Sequence, residues 1–350
     1  MSTSITSTEN ASPLLQQQID PQLLQHAMAL IEPAQHIALL AHEHPDGDCL
    51  GSALGFAHIL EQMGKTCVPA CADPAPKSFT FIPGIDRLQQ SLGTVGEEPF
   101  DLVIALDAGE LTRYGALYER HRTFLDAVPI LNIDHHISSQ GCGRVNIIDP
   151  IAASTTELLV LFQQQAQLPL SQDAAQCLLT GLITDTSSFQ FTSTTPRTME
   201  AGAVLLGAGA VAETIVVPIY RSHSLAHVRL QAKVIESIET ACDGRLVWSH
   251  ATEATLAATG ATTEMDDNFS GYLRDIEGVQ IAAFFKSYGE PNLTRLSLRC
   301  AEPYSAAEIC LSLGGGGHAR AAGASIHKPL KEAIPLVVDV LKRFMESKRT

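Results

Sequence analysis

No stretch of the 350-residue chain strings together the roughly 20 apolar residues that a membrane span needs, and the N-terminus lacks a basic segment followed by an apolar one. A cytoplasmic protein without membrane contact is expected. Basic charge is also scarce: 23 Lys and Arg stand against 38 Asp and Glu, for a net charge of −15. Long nucleic acid is gripped by cations that displace counterions from many phosphates, so a chain this acidic is not expected to coat DNA or RNA. A small anionic substrate stays compatible where metal ions or a local group of Arg and His neutralise it. The eight cysteines form no CxxC pair and no zinc-ribbon spacing. They read as ordinary thiols in a reducing compartment, with Cys67 and Cys71 as a weaker redox or metal alternative. A Walker A loop is missing too, because no Gly-Lys-Ser/Thr follows the glycine run at 314–317.

What is present suits two domains. Hydrophobic residues make up 45% of the chain and charged ones 17%, a globular composition. Residues 1–20, rich in Ser, Thr, Gln and Asn, read as a frayed, disordered leader. From residue 36, short apolar runs alternate with helical stretches. Strands are expected at His36–Ala41, Thr66–Cys71, Leu102–Leu106, Ile130–Ile133 and Val145–Ile148. Helices are expected at Ser52–Gln62, Thr155–Gln165, Asp173–Ile183 and Arg197–Gly207. This is the grammar of an α/β module on a parallel sheet, with the wholly apolar Leu102–Leu106 as a central strand. After about residue 215 the pattern changes. A connector helix over Ser224–Thr240 leads to strands at Arg245–Trp248, Val279–Phe285 and Thr294–Cys300. Helices follow the same reading at Phe269–Ile276, Ala306–Leu313 and Leu330–Met345.

Five constellations carry chemistry. His42-Glu-His-Pro-Asp46-Gly-Asp48 places three metal-ligand side chains within seven residues just after the first strand, where ligands of open α/β sheets bind. Pro45 and Gly47 impose an irregular turn there, which frees His42, Asp46 and Asp48 from strand alternation. Asp107 ends the most apolar strand, as a cap or a ligand. Asp134-His135-His136 follows another apolar strand, and two adjacent imidazoles need polar partners. Asp185 ends a helix in a Thr-rich turn. Asp46, Asp48, Asp107 and Asp185 together carry four negative charges, which two divalent cations would neutralise. Carboxylate and imidazole together suit Mn²⁺ or another first-row ion such as Co²⁺ better than Mg²⁺. The fifth is Gly314-Gly315-Gly316-Gly317-His318-Ala-Arg320, whose backbone N–H groups, with His318 and Arg320, offer donors to a phosphate or carboxylate. His223 and His227 also stand one helical turn apart, but without a carboxylate they read as polar surface.

Taken together, these segments resemble the DHH phosphoesterase family, named for a triplet that stands here as Asp134-His135-His136, and the 314–323 segment is similar to the GGGGH signature of its DHHA1 domain. The resemblance is strongest to the branch acting as oligoribonucleases and pAp phosphatases (nanoRNases). It implies a Rossmann-like parallel-sheet DHH catalytic domain over 21–215, a connector helix over 216–241 and a smaller α/β DHHA1 substrate-binding domain over 242–350, with the site in a cleft between them. It also implies two Mn²⁺ ions, one on His42, Asp46 and Asp107, the other on Asp48, Asp107, His135 and Asp185, with Asp107 bridging. Asp134 would orient the ligands and His136 would face the scissile phosphate. Ser154 and Thr155 would sit near the substrate, and Arg274, Arg299, Gly315, Gly316, Gly317, His318 and Arg320 would hold the nucleotide. The implied activity is hydrolysis of very short RNA and of 3′-phosphoadenosine 5′-phosphate (pAp). A cyclic dinucleotide or its linear product pApA is the alternative; a RecJ-like exonuclease and a non-catalytic nucleotide-binding regulator are less favoured. A homodimer is left open. One departure stands out: Asp185-Thr-Ser187-Ser-Phe189-Gln190 has Ser and Gln where relatives often carry Gly and Arg.

Overall fold

The computed structural model describes residues 18–97, 99–265 and 268–347. Most of the expected leader lies outside the described residues. Its last two positions are held: Ile19 is buried with its N–H on Gln165 Oε1, and Asp20 caps the first helix. The chain divides into two compact units, one ending at Ser222 and the other beginning at His223.

The first unit runs α1 (Pro21–Ile31), β1 (His36–Ala41), α2 (Gly47–Gln62), β2 (Thr66–Cys71), β3 (Leu102–Leu106), α3 (Ala116–Leu125), β4 (Ile130–Asp134) and β5 (Val145–Ile148). After these come α4 (Thr155–Gln165), α5 (Gln172–Asp185), α6 (Pro196–Gly207) and the short α7 (Glu213–Val216). The five strands form one parallel sheet in the order β2-β1-β3-β4-β5. Both faces of the sheet are covered, which is why its strands read as continuous apolar runs. Along β1, Ile37, Leu39 and Ala41 enter one core while Ala38 and Leu40 enter the other. Strand order reverses between β1 and β3, and at that switch point the carboxyl ends of the strands leave a crevice.

Two helices bring distant segments to this crevice. A Cβ on Gly51 would lie 2.4 Å from the Cys177 carbonyl oxygen, and one on Gly181 would lie 2.6 Å from Asp48 Oδ1. Glycine at 51 lets α2 meet the backbone of α5, and glycine at 181 leaves room for the Asp48 and Thr156 side chains. The helix expected from Ser52 begins at Gly47, so the irregular turn is shorter than anticipated. Its cause is Asp46, whose Oδ1 accepts the N–H groups of Asp48 and Cys49 at 3.0 Å each and so caps the helix.

The second unit contains α8 (Leu225–Glu236), β6 (Glu239–Ala241), β7 (Leu246–Thr252), α9 (Glu253–Thr259), α10 (Phe269–Arg274), β8 (Ile281–Ser287) and β9 (Thr294–Cys300). It ends with α11 (Ala306–Ser312), β10 (Gly316–Gly317), β11 (Ala321–Ile326) and α12 (Leu330–Ser347). Its sheet order is β10-β11-β9-β8-β7-β6, antiparallel except for the parallel pair β7 and β8. The expected helix over Ser224–Thr240 stops at Glu236, because Glu239–Ala241 turns back to pair with β7. The glycine segment is an edge hairpin rather than an open loop, with Gly316 opposite Gly323 and Gly317 opposite Ala322. Among the described residues, no helix is long and apolar enough to cross a membrane.

Candidate metal centre

All six residues singled out as metal ligands converge at the carboxyl ends of β1, β3 and β4. His42 follows β1, Asp107 follows β3, His135 follows β4, and α2 and α5 deliver Asp46, Asp48 and Asp185. Three sets of ligand atoms lie within 4.8 Å of one another: His42 with Asp46 and Cys49, Asp107 with His135 and His136, and Asp48 with His135 and Asp185. Cys49, a buried thiol on α2, is a neighbour that spacing in the sequence did not suggest.

The two imidazoles are oriented by the backbone. His42 Nδ1 donates to the Glu43 carbonyl at 2.8 Å and His135 Nδ1 to the Ala152 carbonyl at 3.2 Å. This directs each Nε2 into the carboxylate cluster. His42 Nε2 stands 3.7 Å from Asp46 Oδ2 and 3.4 Å from Asp107 Oδ2. His135 Nε2 stands 3.9 Å from Asp48 Oδ2, 3.5 Å from Asp107 Oδ1 and 3.5 Å from Asp185 Oδ2. These separations exceed a hydrogen bond; the three at 3.4 to 3.5 Å match the roughly 3 to 3.5 Å between ligands that share a cation at about 2.1 Å, and the other two are a little longer. Asp107 thus turns one oxygen to each imidazole.

Electrostatics point the same way. Asp107 is buried, and its carboxyl is pushed well above the usual range by burial and by Asp48, Asp46 and Asp185 around it, against a hydrogen bond from Thr155. Burial, then Asp48 and Asp46, push Asp185 up to about 8. Carboxylates so placed must keep protons or gain positive charge nearby. The donor set, all oxygen and imidazole nitrogen on two sides of Asp107, fits divalent cations.

Behind the ligands the packing is polar and closed. Asp48 accepts the Thr155 N–H at 2.7 Å and the Thr156 N–H at 3.0 Å, one on each oxygen, and Thr155 Oγ1 donates to Asp107 Oδ1 at 2.8 Å. Ser154 and Thr155, expected near the substrate, are both fully buried. The Ser154 hydroxyl caps α4 through Glu157 N–H and meets Thr156 Oγ1. Both residues therefore brace the site from within.

Asp134 is fully buried, and its Oδ1 accepts His136 Nδ1–H at 2.7 Å and the His136 backbone N–H at 3.2 Å. That hydrogen bond raises His136 above the ordinary histidine range. Burial pushes the Asp134 carboxyl up, but the hydrogen bonds from His136 and Ser139 and the charge of His136 together outweigh it and hold the group below the usual value. With Nδ1 engaged, His136 leaves Nε2 free on a ring that is 48% exposed. After Asp185 the backbone enters the left-handed region at three successive residues, Ser187, Ser188 and Phe189 (φ 49°, 59° and 64°).

The remaining expected residues lie in the second unit. Arg274 ends α10 and is half-buried, and Arg299 donates weakly to Asn268 Oδ1. His318 and Arg320 are exposed on the β10–β11 turn, where Arg320 pairs with Glu302. Gly316 has open space where a side chain would stand, whereas Gly315 and Gly317 pack against Gly323, Ala324 and Ala322. His223 and His227 stack on each other, ring centroids 4.6 Å apart, and His227 lies on Phe269.

Comparison with known proteins matches the N-terminal domain of the DHH family over residues 36–182 and the DHHA1 domain over residues 252–347. A bifunctional oligoribonuclease and PAP phosphatase NrnA from Thermus thermophilus is 32% identical over 295 residues, 83% of this chain and 84% of that protein. NrnA from Bacillus subtilis is 26% identical over 83% of this chain and 89% of its own length. The cyclic-di-AMP phosphodiesterase PdeA of Listeria monocytogenes is also 26% identical, over 83% of this chain but only 44% of that protein. In fold, the crystal structure of an exopolyphosphatase-related protein from Bacteroides fragilis gives a TM-score of 0.84 at 21% identity, covering 95% of this chain and 99% of the other.

Proposed function

The chain belongs to the DHH family of phosphoesterases, and from that premise we propose that it is a two-metal hydrolase of short oligoribonucleotides and of pAp. The observation that carries the reading is Asp107, whose two oxygens face His42 and His135 at 3.4 and 3.5 Å within a cluster of four aspartates. Support for the substrate comes from the NrnA relatives, similar along most of their length, and from the net charge of −15, which disfavours long nucleic acid. A cytoplasmic setting accords with the free cysteines.

His42, Asp46 and Asp107 would hold one cation, and Asp48, Asp107, His135 and Asp185 the other, with Mn²⁺ favoured by the mixed ligands. Bound there, the cations supply Lewis acidity toward the phosphoryl group and acidify water. His136 contributes a donor of its own: Asp134 accepts Nδ1–H and favours the imidazolium, so the exposed Nε2–H is available to a phosphoryl oxygen as charge builds on it. Arg299 lies in register with Ala321 at the start of β11, which directly follows Arg320 of the β10–β11 turn. Together with Arg274, His318 and the backbone of Gly316 and Gly317, these groups would hold the nucleotide by its phosphate, sugar or base; the Gly315 N–H is already given to the Cys310 carbonyl at 2.7 Å.

The test is a panel of pAp, an RNA dinucleotide, a long oligonucleotide, cyclic di-AMP and pyrophosphate incubated with purified protein and Mn²⁺. Turnover should be fastest on pAp and the dinucleotide, and Asp107→Ala should abolish it. Preference for pyrophosphate or for the long strand would overturn the reading.

A further inference from the structure

A buried ion pair next to the centre takes no part in the reaction just described. Glu157, in the first turn of α4, is fully buried, and Arg197, in the first turn of α6, is 6% exposed. Arg197 Nε donates to Glu157 Oε1 at 2.5 Å, and its Nη1 reaches Asp149 Oδ2 at 2.8 Å. Glu157 Oε2 accepts the Thr198 hydroxyl at 2.7 Å and the Ala153 N–H at 3.2 Å. The pair therefore fastens the segment from Asp149 to Glu157 at its start, its middle and its end.

That segment is what holds three metal-facing side chains from three different elements. The Ala152 carbonyl accepts His135 Nδ1–H, the Thr155 and Thr156 N–H groups donate to the two oxygens of Asp48, and the Thr155 hydroxyl donates to Asp107. Three of these four contacts are made by backbone atoms, so no choice of side chain corrects them if the segment shifts. Desolvating a carboxylate and a guanidinium is costly, and an apolar pair of similar volume would often stabilise a core as well. What an apolar pair lacks is directional hydrogen bonding to Asp149, Thr198 and the Ala153 N–H at once.

We propose that Glu157 and Arg197 are positioning residues for the metal centre, setting His135, Asp48 and Asp107 through the 149–156 segment. The inference rests on the metal-centre reading above but not on the identity of the substrate.

Mn²⁺ titration of the full chain by calorimetry, beside thermal melts with and without the ion, tests it. Arg197→Met should weaken Mn²⁺ binding about 10- to 100-fold, the range typical of lost ligand-orienting contacts, and Arg197→Lys should recover part of the loss. Because Asp149 is on a partly exposed loop, Asp149→Asn should fold even where Arg197→Met does not, and should weaken binding in the same direction by a smaller factor. A merely structural pair would lower the metal-free melting temperature and leave Mn²⁺ affinity within about twofold, which overturns the proposal. Wild-type protein that binds Mn²⁺ but hydrolyses no phosphoester sinks the proposed reaction, while the Arg197→Met affinity loss would still uphold the positioning role.

Discussion

Asn132 clamps the backbone on both sides of Asp107: its Nδ2 donates to the Ala105 carbonyl at 3.0 Å and to the Ala108 carbonyl at 2.9 Å, and its Oδ1 accepts the Cys142 N–H at 3.3 Å. Asp107 itself sits at φ 59°, a left-handed conformation that costs a non-glycine residue on the order of 1 kcal/mol or more and persists where its surroundings impose it. Tyr114 adds a hydroxyl bond to the Leu106 carbonyl at 3.0 Å. The conformation aims one carboxylate oxygen at His42 and the other at His135.

Asn132→Ala removes the amide donor from two buried carbonyls, of which Ala108 keeps only a long 3.5 Å contact from the Tyr114 hydroxyl, at up to about 1–3 kcal/mol each before relaxation. We expect a loss of about 2–4 kcal/mol in urea unfolding together with a fall in kcat of at least tenfold at saturating Mn²⁺. Steady-state kinetics decide between positioning and mere stability. A destabilised variant with wild-type kcat shows that Asp107 keeps its conformation without the clamp.

Without metal, the centre should make stability depend on pH in an unusual direction. An unfolded aspartate titrates near about 3.9, while burial and the neighbouring carboxylates push folded Asp185 up to about 8 and Asp107 well above its usual range. Between about pH 4 and 8 the folded chain therefore holds protons that the unfolded chain has released. The stability contributed by these groups is complete below that window and is lost as pH rises through it. In chelator, the melting temperature should fall from pH 5 to pH 8.5 more steeply in the wild type than in Asp185→Asn, and added Mn²⁺ should remove most of the difference. Parallel pH curves for the two proteins in chelator would contradict this.

How much of this was legible beforehand follows from the kind of contact involved. The strands carrying His42, Asp107 and His135 declare themselves because a parallel strand covered on both faces is continuously apolar, as Leu102–Leu106 is. Asp and His at the ends of such strands then stand out by contrast. Asp48 and Asp185 were visible as residues, but the reason they meet was not, since it lies in Gly51 and Gly181 allowing two helices to touch. Asn132 was hidden inside an apolar strand, where an amide reads as a blemish until its carbonyl partners 24 and 27 residues away are known. Ser154 and Thr155 stand out as polar residues beside the acidic cluster, but their inward contacts were not legible: Ser154 caps α4, and Thr155 braces Asp48 and Asp107. In the second unit, Ala321–Ile326 carries too little side chain to announce a strand, and only pairing with β9 reveals it.

The left-handed turn at Ser187, Ser188 and Phe189 gives the departure at Ser187 a physical meaning. Its geometry is enforced locally, by the Ser188 N–H on the Ile183 carbonyl at 2.7 Å and the Phe189 N–H on Thr186 Oγ1 at 2.9 Å. A side chain at positive φ brings its Cβ against the following carbonyl, at about 1–2 kcal/mol per residue. Glycine removes that cost but adds entropy to the unfolded chain, which returns part of the gain. Ser187→Gly should therefore stabilise the protein by up to about 1 kcal/mol, a rise of about 2–4 °C in melting temperature for a domain of roughly 200 residues. Ser187→Ala keeps the Cβ and the strain, so it should bring no gain. Turnover of Ser187→Gly should stay near wild type, because the substitution keeps the backbone path that presents Asp185. Calorimetry on the metal-loaded protein separates the outcomes: equal melting temperatures for the Gly and Ala variants would mean that the bonds to Ile183 and Thr186 already offset the strain at this position.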